Sequence, residues 1–192
     1  LGSHLVRLGG RRPGIGRLRQ EMAREREAEG VVPGGAAVAG GGARTRALPL
    51  GVVGGGLTRA DLPLFAWLGA RGVRIVFDGT ELGERGRRPP IPRRDLARGD
   101  PLLLLAEAYL GGIPDPCQRP NARFYRWLSG ALEGSGAEGV LYLRYTWDDI
   151  WNGEKERVRR WLPLPMLDVE LDGSDPLQRN LNRIEAFLES LP

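Results

Sequence analysis

From residue 48 onward, short apolar runs alternate with longer stretches whose large side chains recur at helical spacing. The runs at 48–53, 73–77, 139–145 and 166–171 are short, bounded by Gly, Asp or Pro, and predict strands. Between them the period changes. Thr58 is placed to cap a helix with Leu62, Phe65, Trp67 and Leu68 as its apolar face and Gly72 as its stop. Asp100, with Pro101 at the first helical position, opens a helix through Leu110. Asn121 caps another through Leu132, and Asn152 or Gly153 precedes a charged helix to Trp161. Asp175 and Pro176 start a terminal helix whose Leu177, Leu181, Ile184, Phe187, Leu188 and Leu191 form one stripe. Residues 78–99 form a long, basic, Pro-rich loop.

Ahead of this region the signals weaken. Ile15, Leu18 and Met22 predict a charged helix over 14–30 that Gly30 ends, and 31–47 is Gly- and Ala-rich with too few large side chains to bury. The expected organisation is a basic helix plus linker over 1–46 and an α/β domain over 47–192. Strands separated by helices imply βαβ crossovers, hence a mainly parallel sheet of about four strands in a three-layer, Rossmann- or flavodoxin-like domain. Ligands of such sheets bind beyond the strand carboxyl ends, which points to the segments after Val53, Phe77, Tyr145 and Leu171.

Composition narrows the function. No apolar run approaches the roughly 18 residues of a membrane span, and a single cysteine excludes an intrachain disulfide and a self-sufficient cysteine metal site. The cytoplasm is the default compartment. The chain opens on Leu1 without an initiating Met, as a fragment or processed chain would. Much of the arginine behind the net charge of +4 lies in 7–26 and 85–98. These stretches read as solvated faces or as a contact for an anionic partner. Neither contains an aromatic residue, which argues against nucleic acid.

Four segments can carry chemistry. Gly54, Gly55 and Gly56 follow the first strand, where bare backbone either makes a tight turn or cradles a phosphate near a helix N-terminus. The loop after the second strand holds Asp78, Glu81, Gly83, Glu84, Arg85 and Gly86. Arg85 can pair with Glu81 or Glu84, or hold a thioester-linked or phosphate-bearing ligand, and Gly83 and Gly86 mark sharp bends. Cys117 precedes a helix, a position that can lower a thiol pKa, although a buried structural thiol fits as well. After the third strand come Arg144, Trp147, Asp148 and Asp149. The carboxylates can hold a metal or move a proton, and Trp147 and Trp151 can wall an apolar site or simply pack.

In order, the chain carries Asp-Gly-Thr-Glu-x-Gly-Glu-Arg at 78–85, Pro-Cys-Gln-Arg-x-Asn at 116–121, Gly-Val-Leu-Tyr-Leu-Arg-Tyr-Thr-Trp-Asp-Asp-Ile-Trp at 139–151, Leu-Pro-Leu-Pro-Met-Leu-Asp-Val-Glu-Leu-Asp at 162–172 and Arg-Ile-Glu-Ala-Phe-Leu-Glu from 183. This series, over roughly 47–192, resembles the C-terminal half of the 2-hydroxyacyl-CoA dehydratase / benzoyl-CoA reductase family, close to the D-component of 2-hydroxyglutaryl-CoA dehydratase. The resemblance implies a lyase component working with a second dehydratase-type subunit or N-terminal domain, an acyl-CoA ligand and a separate ATP-dependent activator. The activator supplies one low-potential electron, which reaches the thioester carbonyl by way of a [4Fe–4S] cluster and makes expulsion of the hydroxyl feasible. It implies Asp148 and Cys117 as cofactor-binding positions, with Asp148 at the place of a cluster cysteine. In this chain alone the cluster is then incomplete or absent. Gly54, Gly55, Glu81, Gly83, Glu84, Arg85, Arg144 and Trp147 are the substrate-binding candidates, and the catalytic residues stay unassigned. The competing expectation is a non-catalytic α/β binding or assembly domain derived from the same family. A stand-alone nucleotide-binding fold needs only the glycine turn and the sheet rule and explains least of the rest.

Overall fold

The structure, a computed structural model, describes residues 14–29, 47–173 and 176–192. The basic residues 7–13, the Gly30 stop, the linker at 31–46 and Asp175 lie outside the described residues. The chain packs as two compact units.

The first unit joins helix α1 (Ile15–Glu29) to the segment Arg88–Ile113. The expected 78–99 loop is partly helical: a 3-10 turn covers Glu84–Gly86 and α2, in this unit, covers Arg93–Arg98. Next, α3 (Pro101–Ala106) starts as expected, with the Asp100 carboxylate accepting from the Leu102 N–H at 2.8 Å, and runs on as a π-helical turn over Glu107–Gly112. Met22, Ile91, Leu96 and Ala108 form its small core.

The second unit is the α/β domain. Its four strands are β1 (Leu48–Gly54), β2 (Val73–Gly79), β3 (Gly139–Tyr145) and β4 (Met166–Leu171). They form one parallel sheet in the order β2-β1-β3-β4. Helices α4 (Leu62–Ala70), α5 (Ala122–Ser135), α6 (Asp149–Trp161) and α7 (Pro176–Ser190) cover it. Strand alternation sorts the core into two faces. Leu48, Leu50, Val52, Leu141, Leu143 and Val169 pack with Leu64 and Leu68 of α4 and Ile184 and Leu188 of α7. Val53, Phe77, Val140 and Tyr142 pack with Phe124, Leu128 and Leu132 of α5 and Trp151 and Val158 of α6. The result is the expected three-layer α/β fold, with both faces of the parallel sheet buried.

Local expectations shift at three helix starts. Thr58 does cap, but through a box with Asp61, whose carboxylate accepts the Thr58 N–H at 2.7 Å; a 3-10 turn precedes α4, and Leu62 points outward. Asn121 makes no side-chain cap on α5, because its amide donates to the Pro116 carbonyl and to Glu154. Helix α6 begins at Asp149, so Asn152 lies inside its first turn.

Candidate functional site

β1 lies between β2 and β3, so the chain winds off β1 in opposite directions. The crevice outside the carboxyl ends of β1 and β3 is the topological switch point of the sheet. Gly54, Gly55 and Gly56 line it on the β1 side. A side chain on Gly54 would overlap the backbone carbonyl of Leu143, and one on Gly55 would come within 2.9 Å of an Asp148 carboxylate oxygen and 3.0 Å of the Trp151 ring. The glycines therefore let β1, β3 and the start of α6 close on one another. Glu81 reaches in from the β2 side: its Oε2 lies 3.2 Å from where a Gly56 side chain would begin.

The loop that delivers Glu81 is folded on itself. Asp78 Oδ1 accepts from the Thr80 N–H at 2.9 Å and hydroxyl at 2.7 Å, and Gly83 sits where any side chain would strike Asp78. The bend at Gly83 thus comes from close approach, at a negative φ of −96°. The loop turns Arg85 inward to 3% exposure. All three of its guanidinium nitrogens are engaged. Nε donates to the Pro114 carbonyl at 3.3 Å, Nη1 to the Gly54 carbonyl at 2.8 Å and Nη2 to Asp115 at 2.5 Å. Its plane lies 4.8 Å from the Trp151 ring centroid, and Glu81 is 3.8 Å away. Glu84 points elsewhere, pairing with Arg87 at 3.4 Å.

Asp148 is the N-cap of α6: its carboxylate accepts the Trp151 N–H at 3.1 Å. Cys117 is reached through Asp115, which accepts the Cys117 N–H at 2.7 Å and pairs with Arg85. Burial works to raise the Asp115 carboxyl, but the Cys117 hydrogen bonds and Arg85 outweigh it and hold the carboxyl below its ordinary value. The Cys117 thiol moves the other way from the expected lowering. Desolvation raises it and Asp115 raises it further, and the residue is exposed rather than a buried structural thiol. The physical reason is that α5 starts five residues later, at Ala122, so an acidic neighbour, not a helix N-terminus, dominates its surroundings.

Arg144 and Trp147 serve the other side of β3. Arg144 forks onto Asp168 of β4 at 2.7 and 2.9 Å, meets Glu170 at 3.1 Å and donates its remaining nitrogen to Asn152. Burial opposes ionisation of Asp168, yet Arg144 and Lys155 keep its carboxyl below the usual range. Trp147 stacks on Tyr145 at 4.7 Å and is 63% exposed. Of the sequence candidates, Gly54, Gly55, Glu81, Arg85 and Asp148 meet at the switch point, with Cys117 tethered through Asp115. Glu84 and Arg144 are committed to other ion pairs.

Sequence reasoning passed over two groups here. Tyr145 donates its hydroxyl to buried Asp61 at 2.6 Å, and burial with the Asp61 charge pushes the phenol up. The Thr58-x-x-Asp61 capping pattern was its available signal. Asp115 is the other; an Asp two residues ahead of an N–H it can accept is an Asx-turn signature.

A [4Fe–4S] cluster ordinarily takes four thiolates. The chain has one cysteine and one histidine. Among the described residues no three His, Cys, Asp or Glu side chains converge to hold a metal ion. With the Asp148 carboxylate turned to its helix cap, these residues do not fit a complete cluster site.

Fold and crevice together define an open, parallel-sheet α/β domain with a topological switch point between β1 and β3. Residues 15–191 match the family of 2-hydroxyglutaryl-CoA dehydratase, D-component, and the chain belongs to that family. The match begins at residue 15 rather than near 47, so α1 falls within the family region. Comparison with curated proteins gave no match. Among the described residues no helix is long and apolar enough to cross a membrane.

Proposed function

We propose that the chain is the substrate-facing half of a 2-hydroxyacyl-CoA dehydratase-like system, and that its switch-point crevice takes part of an acyl-CoA. The family match across residues 15–191 carries this reading. The backbone just past β1, where Gly56 is exposed beyond the buried Gly54 and Gly55, would offer N–H groups to a phosphate or thioester oxygen. Arg85 is a positioning residue that holds the turn through the Gly54 carbonyl. Glu81, whose side chain is 57% exposed, supplies a carboxylate at the rim. A bound cluster would supply single electrons at low potential. The donor set here is too small to hold one, so a second dehydratase-type subunit or domain is the proposed source, reduced by an ATP-dependent activator.

The test is iron and acid-labile sulfide after anaerobic reconstitution, combined with acyl-CoA binding, on the chain alone and with its neighbouring subunit. Acyl-CoA binding by the chain, with iron only in the pair, is the expected result. Neither iron nor acyl-CoA binding in either preparation would overturn the reading. It would leave the alternative, a non-catalytic binding or assembly domain, which the capping role of Asp148 favours.

A further inference from the structure

We infer a second ligand site, at the end of α6 remote from Asp148, that takes a nucleoside diphosphate. Helix α6 starts beside the carboxyl end of β3 and spans 13 residues to Trp161, which lies about 18 Å from its start along the helix at ~1.5 Å per residue. There Arg157, Arg160 and Trp161 line an open cleft of about 400 Å³. That is within the roughly 300–1,000 Å³ range of small-molecule sites.

The indole is braced from behind. Tyr125 of α5 stacks on it at 5.4 Å with planes 12° apart, and the Tyr125 hydroxyl is held by buried Glu154. Trp161 nonetheless remains 48% exposed. An aromatic plane packed on one face and open on the other is a platform for a planar ring. The guanidiniums supply the complementary charge. Glu154, 3.4 Å from Arg157, steers that side chain. Arg160 donates Nε to the Glu156 carbonyl at 3.2 Å, and among the described residues its two Nη groups have no hydrogen-bond partner. An indole flanked by two arginines selects a ring bearing adjacent negative charge. A nucleoside diphosphate carries both parts, whereas pyrophosphate lacks the ring and a nucleoside lacks the charge. The site shares no residue with the switch-point crevice, so it stands or falls independently of the reading above.

Titration of the full chain with ADP, followed by calorimetry and tryptophan fluorescence, tests it. Saturable binding is expected, with pyrophosphate and adenosine each bound at least about tenfold more weakly, the equivalent of ~1.4 kcal/mol. Arg160→Gln, at an exposed position, should weaken ADP about tenfold without changing the circular dichroism spectrum. Trp161→Phe should remove the fluorescence response while retaining measurable heat. Absence of saturable binding at millimolar ADP, equal affinity for pyrophosphate, or unchanged affinity in Arg160→Gln would each overturn the proposal.

Discussion

Arg85 and Arg144 are both buried arginines beside a strand carboxyl end, and each has every guanidinium nitrogen engaged. Their partners differ in kind. Arg85 donates to two backbone carbonyls and one close carboxylate, and lies over an indole. Arg144 faces two carboxylates of the neighbouring strand. Arg85 therefore sets the shape of the β1 turn, while Arg144 balances charge at the β3–β4 edge. A buried arginine in a strand-end motif is first a staple. Whether it also affects a ligand depends on what it staples.

The contrast predicts different losses. Arg144→Met leaves Asp168 and Glu170 without their main counter-charge and should cost about 3–5 kcal/mol in urea unfolding, the range for a broken buried pair. Adding Asp168→Leu should recover more than half of that loss, since an apolar pair requires no desolvated charge. Acyl-CoA affinity should stay within about twofold (~0.4 kcal/mol), because Arg144 bonds to Asp168, Glu170 and Asn152 and to none of the crevice residues. Arg85→Met should cost less stability, about 2–3 kcal/mol, and should also weaken acyl-CoA about tenfold or more by freeing the glycine turn. Equal effects of both substitutions on acyl-CoA binding would erase the distinction.

The framework of the fold was legible because its signals are local. Strands at 139–145 and 166–171 appear where β-formers cluster between turn residues, and the parallel order follows from the long crossovers between them. The start of α6 was misplaced because Asn152 resembles a cap, while the actual cap, Asp148, resembles a ligand. Short polar side chains serve either purpose, and only the Trp151 N–H at 3.1 Å decides between them. The sheet rule points to all four strand ends alike, and only the strand order β2-β1-β3-β4 singles out the β1/β3 switch point. The Asp115 bridge was not legible, because it joins residues 30 apart through a loop whose path no periodicity specifies. The sequence offers Arg85 a pairing with Glu81 or Glu84 or a thioester-linked or phosphate-bearing ligand; in the structure Asp115 is its near partner and Glu81 lies at longer range.

Asp148 offers a smaller and sharper test of the same division between staple and ligand. As a cap, Asp148→Ala should lower stability by about 1 kcal/mol, and Asp148→Ser or Asp148→Asn should retain most of it. Iron content in the reconstituted pair should not follow that order. If Asp148→Ala removed iron while leaving stability untouched, and Asp148→Cys raised iron, the carboxylate would be a ligand and the capping account would fail.

Proton linkage gives the smallest effects, and it divides the two networks once more. Asp168 and Asp115 both titrate below their unfolded values of about 3.9 despite opposing burial. Their stabilisation is therefore complete at neutral pH, begins to fade near pH 4 and is lost as pH falls through the folded values. Asp168→Asn should flatten that acid limb, since it removes the partner of Arg144. Asp115→Asn should flatten it less, because Asp115 is the more exposed carboxylate, but it has a second consequence. Desolvation of the Cys117 thiol would persist, while the adjacent carboxylate that also raises it would be gone, with Arg85 and Arg119 still nearby. The thiol pKa should then fall, so the thiolate fraction at a given pH below it should rise. Alkylation of the lone cysteine should be faster in Asp115→Asn across the neutral to mildly alkaline range, with its rate profile displaced to lower pH. A profile that is unmoved or displaced upward would show that Asp115 does not govern Cys117, and would detach the cysteine from the Arg85 network.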